Sequence, residues 1–268
     1  MHDAARPAPR RKRFGQHFLH DPAVIERIVQ ALGMHAGDHL VEIGPGRGAL
    51  TTQLLARADV TLDALEIDRD LAAGLAARFH PPRTVLHECD ALTFDFGALA
   101  RARGGSLRVL GNLPYNISTP LLFHLLAQRA ALSDLTIMLQ REVALRLAAL
   151  PGGEDYGRLT VMLAPYAQVE RLFDIGPGAF QPPPRVWSAV VHLKMRTPAL
   201  FAVSPHYGAL VLAAFTQRRK TLRNALRALL SAAAISACGI DPGARAETLT
   251  PQEFNALAQT LDRARGGG

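Results

Sequence analysis

The sequence predicts an α/β fold, a parallel sheet wound with helices, followed by a small all-helical C-terminal domain. Three observations carry this prediction. From His39 onward, short apolar runs alternate with helical periods, the pattern of βα units. A glycine-rich turn, Gly44-Pro45-Gly46-Arg47-Gly48, joins the first such run to the first helical period, where wound sheets bind ligands. Near Arg196–Pro205 the strand pattern stops, and an Ala/Leu-rich stretch follows with breaks at Gly239–Gly243 and Thr250–Pro251. The 268 residues suffice for one large domain and a small appendage, and 49% hydrophobic with 20% charged residues is ordinary globular composition.

Strands are predicted at Leu40–Ile43, Val60–Ile67, Thr84–Glu88, Leu107–Leu110, Leu135–Leu139 and Val186–Leu193, each an apolar run of strand length. Helical stretches lie between most of them. Leu50, Leu54 and Leu55 give one helix its buried face, and Leu121, Leu122, Leu125 and Leu126 give another, with Thr119 expected as N-cap and Pro120 in its first turn. Residues 1–13 read as a basic flexible tail, 14–197 as the sheet-bearing domain and 198–268 as the small helical domain, fraying at Gly266–Gly268.

The formal net charge of +7 is concentrated: residues 1–13 carry +4 and Phe215–Arg227 carry +5, which leaves −2 for the rest. Clustered cations are a footprint for a polyanion, because neutralising phosphates releases counterions. A solvated tail and a solvated helix face are the other reading. Two cysteines, Cys89 and Cys238, are too few for a disulfide scaffold and lack metal-ligand spacing, so a reducing cytoplasm and no metal are expected. The opening basic residues have no apolar stretch behind them, and no run approaches roughly 18 apolar residues, so neither a secretory leader nor a membrane span is expected.

In the glycine turn, Gly44 and Gly46 allow a sharp bend and close approach to a ligand with no Cβ in the way. Twenty-two residues after Gly44, at the end of the next strand, stands Glu66, an acid able to accept hydrogen bonds from two ribose hydroxyls. Together they point to adenosine binding; a tight turn beside a surface acid is the plainer alternative. Pro45 removes an amide that a dinucleotide site would offer to pyrophosphate. An adenosyl ligand without pyrophosphate therefore fits better. Asp90, at the end of the third strand, suits two roles: acceptor for an adenine amino group, or helix N-cap.

After the fourth strand comes Gly111-Asn112-Leu113-Pro114-Tyr115-Asn116-Ile117-Ser118. An exocyclic adenine amine is a poor nucleophile because its lone pair is delocalised into the ring. A site that uses it must draw both N–H bonds into hydrogen bonds and pyramidalise the nitrogen. The Asn112 side-chain oxygen and the Leu113 carbonyl suit that task, Pro114 fixes the carbonyl's direction, and Tyr115 offers a ring on which a flipped base stacks.

Asn-Leu-Pro-Tyr resembles the Asn/Asp-Pro-Pro-Tyr-type motif of S-adenosylmethionine-dependent amino methyltransferases. The longer run Asn112–Pro120, with Phe14-Gly15-Gln16-His17-Phe18-Leu19 upstream, resembles the small-subunit (16S) ribosomal RNA adenine N6,N6-dimethyltransferases. The likeness continues through Phe180-Gln181-Pro182-Pro183-Pro184-Arg185-Val186-Trp187-Ser188, Phe215-Thr216-Gln217-Arg218-Arg219-Lys220, and Gly239-Ile240-Asp241-Pro242 with Arg245-Ala246-Glu247, covering about residues 10 to 255.

This resemblance implies a Rossmann-like class I S-adenosylmethionine-dependent methyltransferase sheet, S-adenosyl-L-methionine as cofactor, S-adenosyl-L-homocysteine as product, and no metal. It implies cofactor contacts from His17, Leu19, Gly44, Glu66, Asp90 and Asn112, to which the loop reading adds Gly46. Catalytic roles fall to Asn112, Leu113, Pro114, Tyr115 and Phe180, the last stacking on the base face opposite Tyr115. Pro182, Pro183 and Pro184 suit a rigid surface loop around Phe180, a core phenylalanine being the other reading.

The implied target is two adjacent adenosines near the 3′ end of 16S rRNA, presented in the small ribosomal subunit or its assembly intermediate. Phosphate contacts are expected from Arg10, Arg11, Lys12, Arg13, Arg218, Arg219, Lys220 and Arg223. The protein is expected to act as a monomer. Three rivals remain: a large-subunit rRNA adenine methyltransferase of the resistance type, an RNA-binding assembly factor with secondary catalysis, and a nicotinamide oxidoreductase, against which Pro45 and the Asn-Leu-Pro-Tyr string speak.

Overall fold

The computed structural model describes residues 16–57, 59–217 and 219–266. In chain order the elements are β1 (Phe18–Leu19), α1 (Pro22–Ala31), β2 (His39–Ile43), α2 (Ala49–Arg57), β3 (Thr61–Glu66), α3 (Arg69–Ala76), β4 (Thr84–Glu88), α4 (Phe96–Arg103), β5 (Leu107–Asn112), α5 (Ser118–Ala127), β6 (Leu132–Gln140), α6 (Arg141–Leu147), α7 (Arg158–Leu163), β7 (Ala167–Ile175), β8 (Phe180–Gln181), β9 (Ser188–Met195), α8 (Tyr207–Thr216), α9 (Leu222–Ala225), α10 (Ala232–Ala237) and α11 (Pro251–Gly266).

Seven strands form one sheet in the order β4-β3-β2-β5-β6-β9-β7. The first five run parallel, as the alternating pattern predicts. Successive residues of a strand face opposite sides, so the apolar runs feed two cores. Leu40, Leu62 and Leu110 pack with Ile28 of α1 and Leu54 of α2, whereas Val41, Val109 and Ile137 pack with Phe96 of α4 and Leu121 of α5. Each such aliphatic side chain, taken fully out of water, contributes roughly 1.5–3 kcal/mol.

The structure departs from the sequence-based expectation in four places. The sheet is mixed: β9 runs antiparallel to β6, and β7, which the strand list lacks, runs antiparallel to β9. β7 carries Gln168, Glu170 and Arg171 along an edge, so its apolar content is diluted. The last predicted strand begins later, at Ser188, and leaves Val186 and Trp187 outside it. Thr119 does not cap α5: the helix starts at Ser118 directly from the turn closed by Ile117 N–H to the Pro114 carbonyl, and the Ser118 hydroxyl donates back to the Tyr115 carbonyl. A short antiparallel ladder outside the main sheet pairs Phe18 with Gln181 and Leu19 with Phe180, joining two strings that lie far apart in sequence.

A third core gathers Tyr207, Leu210 and Val211 of α8 with Leu222, Ile235, Phe254 and Leu257, and draws in Tyr156 and Val161 from before β7. The buried Tyr156 and Tyr207 hydroxyls donate to the Leu249 and Val161 carbonyls at 2.8 Å each. No helix among the described residues is long and apolar enough to cross a membrane.

From β2 the chain steps outward through β3 to β4, then returns to place β5 on the other side of β2. That reversal opens a crevice at the carboxyl ends of β2 and β5, where such sheets bind ligands.

Candidate active site

A cleft of about 310 Å³ occupies this crevice. Its walls are the glycine turn after β2, the ends of β3 and β4, the tetrapeptide after β5, and a strap from Gln16 to Leu19. His17, Leu19, Gly44, Gly46, Glu66, Asp90, Asn112, Leu113, Pro114 and Tyr115 all line it, so two separate sequence motifs and the upstream string converge on one space.

Gly46 explains the turn's composition. Its φ is +58°, which side chains disfavour, and a Cβ there would stand 3.0 Å from the Phe18 ring of the strap. The Arg47 guanidinium sits 4.6 Å from the centroid of that same ring, a cation–π contact that helps seat the strap against the turn.

Glu66 is only 2% exposed. One carboxylate oxygen accepts the Gly46 amide and the other the Asp68 amide, both at 3.0 Å. Burial pushes its carboxyl up from the usual range, against the lowering effect of those amides. Each oxygen has two lone pairs, so both keep capacity for ribose hydroxyls.

Asp90 folds one oxygen back onto the Leu92 amide at 2.9 Å, while its Oδ2 has no partner among the described residues. It does not cap α4, a position held by Asp95. Ile67, large, apolar and 46% exposed, joins these acids at the cleft and suits the face of a purine. With the open turn, these groups fit an adenosyl ligand.

The opposite wall is built around Asn112. Its Nδ2 donates to the His17 carbonyl at 2.8 Å, which fixes the amide's orientation and leaves Oδ1 as an acceptor. The Leu113 amide donates to Met138 at 3.0 Å, and its carbonyl accepts nothing among the described residues. Two acceptors on adjacent residues are thus available side by side at the cleft.

The His17 ring donates Nδ1–H to the Pro182 carbonyl at 2.7 Å. Its centroid lies 5.8 Å from that of Tyr115. The Tyr115 phenol and the Ser188 hydroxyl are 2.6 Å apart, and burial raises the phenol above its ordinary pKa.

Phe180 does not line the cleft. It is 2% exposed, opposite Leu19 in the short ladder and packed in the core beneath α1 and α2. Pro182 and Pro183 are exposed, as a surface loop requires, whereas Pro184 is buried and Phe180, which precedes them, turns inward. Arg219, Lys220 and Arg223 are exposed beside α9, away from the cleft. Arg10, Arg11, Lys12, Arg13 and Arg218 lie outside the described residues. The Leu222 and Arg223 amides donate to Ala244 and Pro242, so the basic segment and the Gly239–Pro242 string meet.

Sequence reasoning missed two contributors. Glu42, inside the predicted strand Leu40–Ile43 and given no role there, lines the cleft with its carboxyl buried and accepting the Thr51 hydroxyl at 2.6 Å. Burial pushes its pKa up to about 7. A charged residue in the middle of a buried strand was the available signal. Ser188, the partner of Tyr115, carries no local signal.

The sequence matches the family described as Ribosomal RNA adenine dimethylase across residues 8–263. The chain belongs to that family. Among its relatives, this dimethylase-family chain is 55% identical to the Ribosomal RNA small subunit methyltransferase A of Nitrosococcus oceani over 253 residues, 93% of this chain and 95% of the relative. It is 50% identical to the protein of the same name from Pseudomonas aeruginosa over 264 residues, 96% of each. Its fold is that of a dimethyladenosine transferase from Plasmodium falciparum, TM-score 0.79 at 22% identity, over 92% of this chain and 98% of the other. The 23S rRNA methyltransferase ErmE superposes with TM-score 0.69 at 26% identity, over 91% and 99%.

Proposed function

We propose that this protein transfers methyl groups from S-adenosyl-L-methionine to the N6 amino groups of two adjacent adenosines in the 3′-terminal hairpin loop of 16S rRNA, acting in small-subunit (30S) biogenesis. The observation that carries the reading is the Asn112 side chain, held by the His17 carbonyl so that Oδ1 and the neighbouring Leu113 carbonyl both remain acceptors in the cleft that Glu66 and Asp90 share. Identity of 50–55% along nearly the whole chain to small-subunit enzymes supports the target, against 26% to a large-subunit one.

Glu66 would hold the ribose, Asp90 the adenine amino group, and Gly44 and Gly46 the approach of the ligand to the main chain. When bound, S-adenosyl-L-methionine supplies an electrophilic sulfonium methyl group. Asn112 Oδ1 and the Leu113 carbonyl accept the two N–H bonds of the target amine and so localise its lone pair. Tyr115, oriented by Ser188, offers the base a stacking face. Methylation makes the nitrogen strongly acidic, so its proton leaves to water or through Asn112 without a dedicated base. Positioning and exclusion of water then supply most of the acceleration. A second transfer leaves one N–H fewer, so the space beside Asn112 must admit a methyl group.

The exposed Arg219, Lys220 and Arg223, with the basic residues 10–13 and Arg218, would meet the RNA backbone. Their replacement in the triple Ala variant at 219, 220 and 223 should flatten the log–log salt dependence of subunit binding by roughly 2 to 3. An unchanged slope would remove this segment from the footprint. The free cysteines Cys89 and Cys238 fit a reducing cytoplasm.

The direct test incubates the protein with labelled S-adenosyl-L-methionine and small subunits lacking 3′-end methylation, followed by mass spectrometry of nucleosides. N6,N6-dimethyladenosine in the 3′-terminal fragment is expected. Transfer to large-subunit RNA alone would reassign the substrate, and binding without transfer to either would favour an assembly factor.

A further inference from the structure

Val186 and Trp187, which the sequence places in a strand, stand on the surface, 43% and 55% exposed. With Gln140, Arg141, Glu142 and Leu145 they line a second concavity of about 320 Å³. Trp187 is anchored there: its carbonyl accepts the Arg141 amide at 2.9 Å. Its six-membered ring lies 3.7 to 4.0 Å from where a Cβ on Gly176 would stand. The indole thus presents a ring to solvent from a fixed backbone, and none of the three cores takes it up.

Its location links it to the amine wall. The next residue, Ser188, bonds Tyr115, and consecutive Cα atoms are about 3.8 Å apart. Gln140 closes β6, the strand paired with β5 at Met138 and Asn112, so both concavities open along one edge of the sheet.

The surroundings favour phosphate. Arg141 and Arg171 share Asp174, and Arg146 pairs with Glu142. Arg185, beside Val186, has no ion-pair partner among the described residues, so the charge in this patch is positive. An adenosine drawn out of its stack leaves its neighbour uncovered on one side, and an aromatic ring restores that lost stacking.

We propose that this concavity takes the base flanking the target adenosine in the same RNA strand, stacked on Trp187, with Arg141 and Arg185 facing the adjoining phosphates. The proposal rests on the RNA-adenine reading above and adds a positioning residue to it. Trp187 acts on the placement of the strand, while the amine itself is held by Asn112 and Leu113.

The experiment measures methyl transfer to unmethylated small subunits by the wild type, Trp187→Ala and Trp187→Phe, with S-adenosyl-L-methionine affinity and the urea midpoint recorded for each. In Trp187→Ala the KM for subunits should rise roughly 5- to 100-fold, the worth of one stacked base, with cofactor affinity and midpoint near wild type. Trp187→Phe should recover most of the loss, because a phenyl ring also stacks. An unchanged KM in Trp187→Ala overturns the platform. So does a Phe variant as poor as Ala, which would assign the indole to packing or to a protein contact. Absence of transfer by the wild type would instead remove the RNA-adenine reading on which the platform stands.

Discussion

The wall of the cleft built from the glycine turn, Glu66 and Asp90, proposed above for the cofactor, is tied within short spans of chain. Glu66 holds the amide two residues beyond it and that of Gly46, twenty residues before it. The wall built around Asn112 and Tyr115, proposed above for the amine, is tied across the whole domain: Asn112 to His17 over 95 residues, Tyr115 to Ser188 over 73, and His17 to Pro182 over 165. The first is a product of two consecutive βαβ units, β2 to β4, and their backbone. The second exists only once β1 and β8 have paired and the strap lies across the crevice. Cofactor binding should therefore survive damage that abolishes methyl transfer, while the reverse should be rare.

Asn112→Ala tests that asymmetry most severely. It removes the Oδ1 acceptor and the clasp on the His17 carbonyl together. Transfer should fall by roughly 10²- to 10³-fold, the usual effect of deleting one polar group that stabilises a developing charge. Cofactor affinity, measured by calorimetry, should change far less, because Glu66, Asp90 and the glycine turn remain. Wild-type turnover would refute the amine-polarising role, and equal losses of binding and turnover would collapse the distinction between the walls.

The cofactor wall carries a cost of its own in Glu42. Its carboxyl is buried with the Thr51 hydroxyl as partner and stays protonated to about pH 7. In the unfolded chain the same group ionises near the usual value of 4.5. The folded state therefore binds the extra proton, and stability declines as pH rises from about 4.5 through about 7, then levels. The loss is on the order of 3 kcal/mol. Glu42→Gln keeps an acceptor for Thr51 and cannot ionise, so urea unfolding of the variant between pH 5 and 8 should lose most of this slope. Parallel wild-type and variant curves would show that Glu42 is already charged in the fold.

The contrast between walls also explains what was legible in the sequence. The glycine turn, Glu66 at the next strand end and Asp90 at the third are local patterns, and all three reach the cleft. The tetrapeptide identifies itself by composition, but its supports do not: nothing near Tyr115 announces Ser188, and nothing near His17 announces the Pro182 carbonyl. Phe180 shows the limit from the other side. Pro182 and Pro183 after it do lie on the surface, yet Pro184 is buried and pairing with Leu19 turns the Phe180 ring into the core, and pairing between distant strands has no local signature. The edge strand β7 escaped for a related reason, since Gln168, Glu170 and Arg171 interrupt its apolar run.

Phe18 is where the two walls touch, and Gly46→Ala probes that contact. Residue 46 has φ +58°, and its new Cβ would lie 3.0 Å from the Phe18 ring, so the ring must shift or the turn must open. If Phe18 gives way, β1 moves, and with it the His17 carbonyl that orients Asn112. Gly48→Ala is the matched control: its φ is +77° and its Cβ would meet Leu75 at 3.0 Å and Phe79 at 3.1 Å, behind the turn and away from the strap. Both variants should weaken the cofactor by roughly tenfold through backbone strain of about 1–2 kcal/mol. Only Gly46→Ala should also lower the rate at saturating cofactor, by a few-fold, because only it disturbs the strap. Equal rates in the two variants at saturation would mean that the strap yields without moving Asn112, and that the walls are mechanically independent.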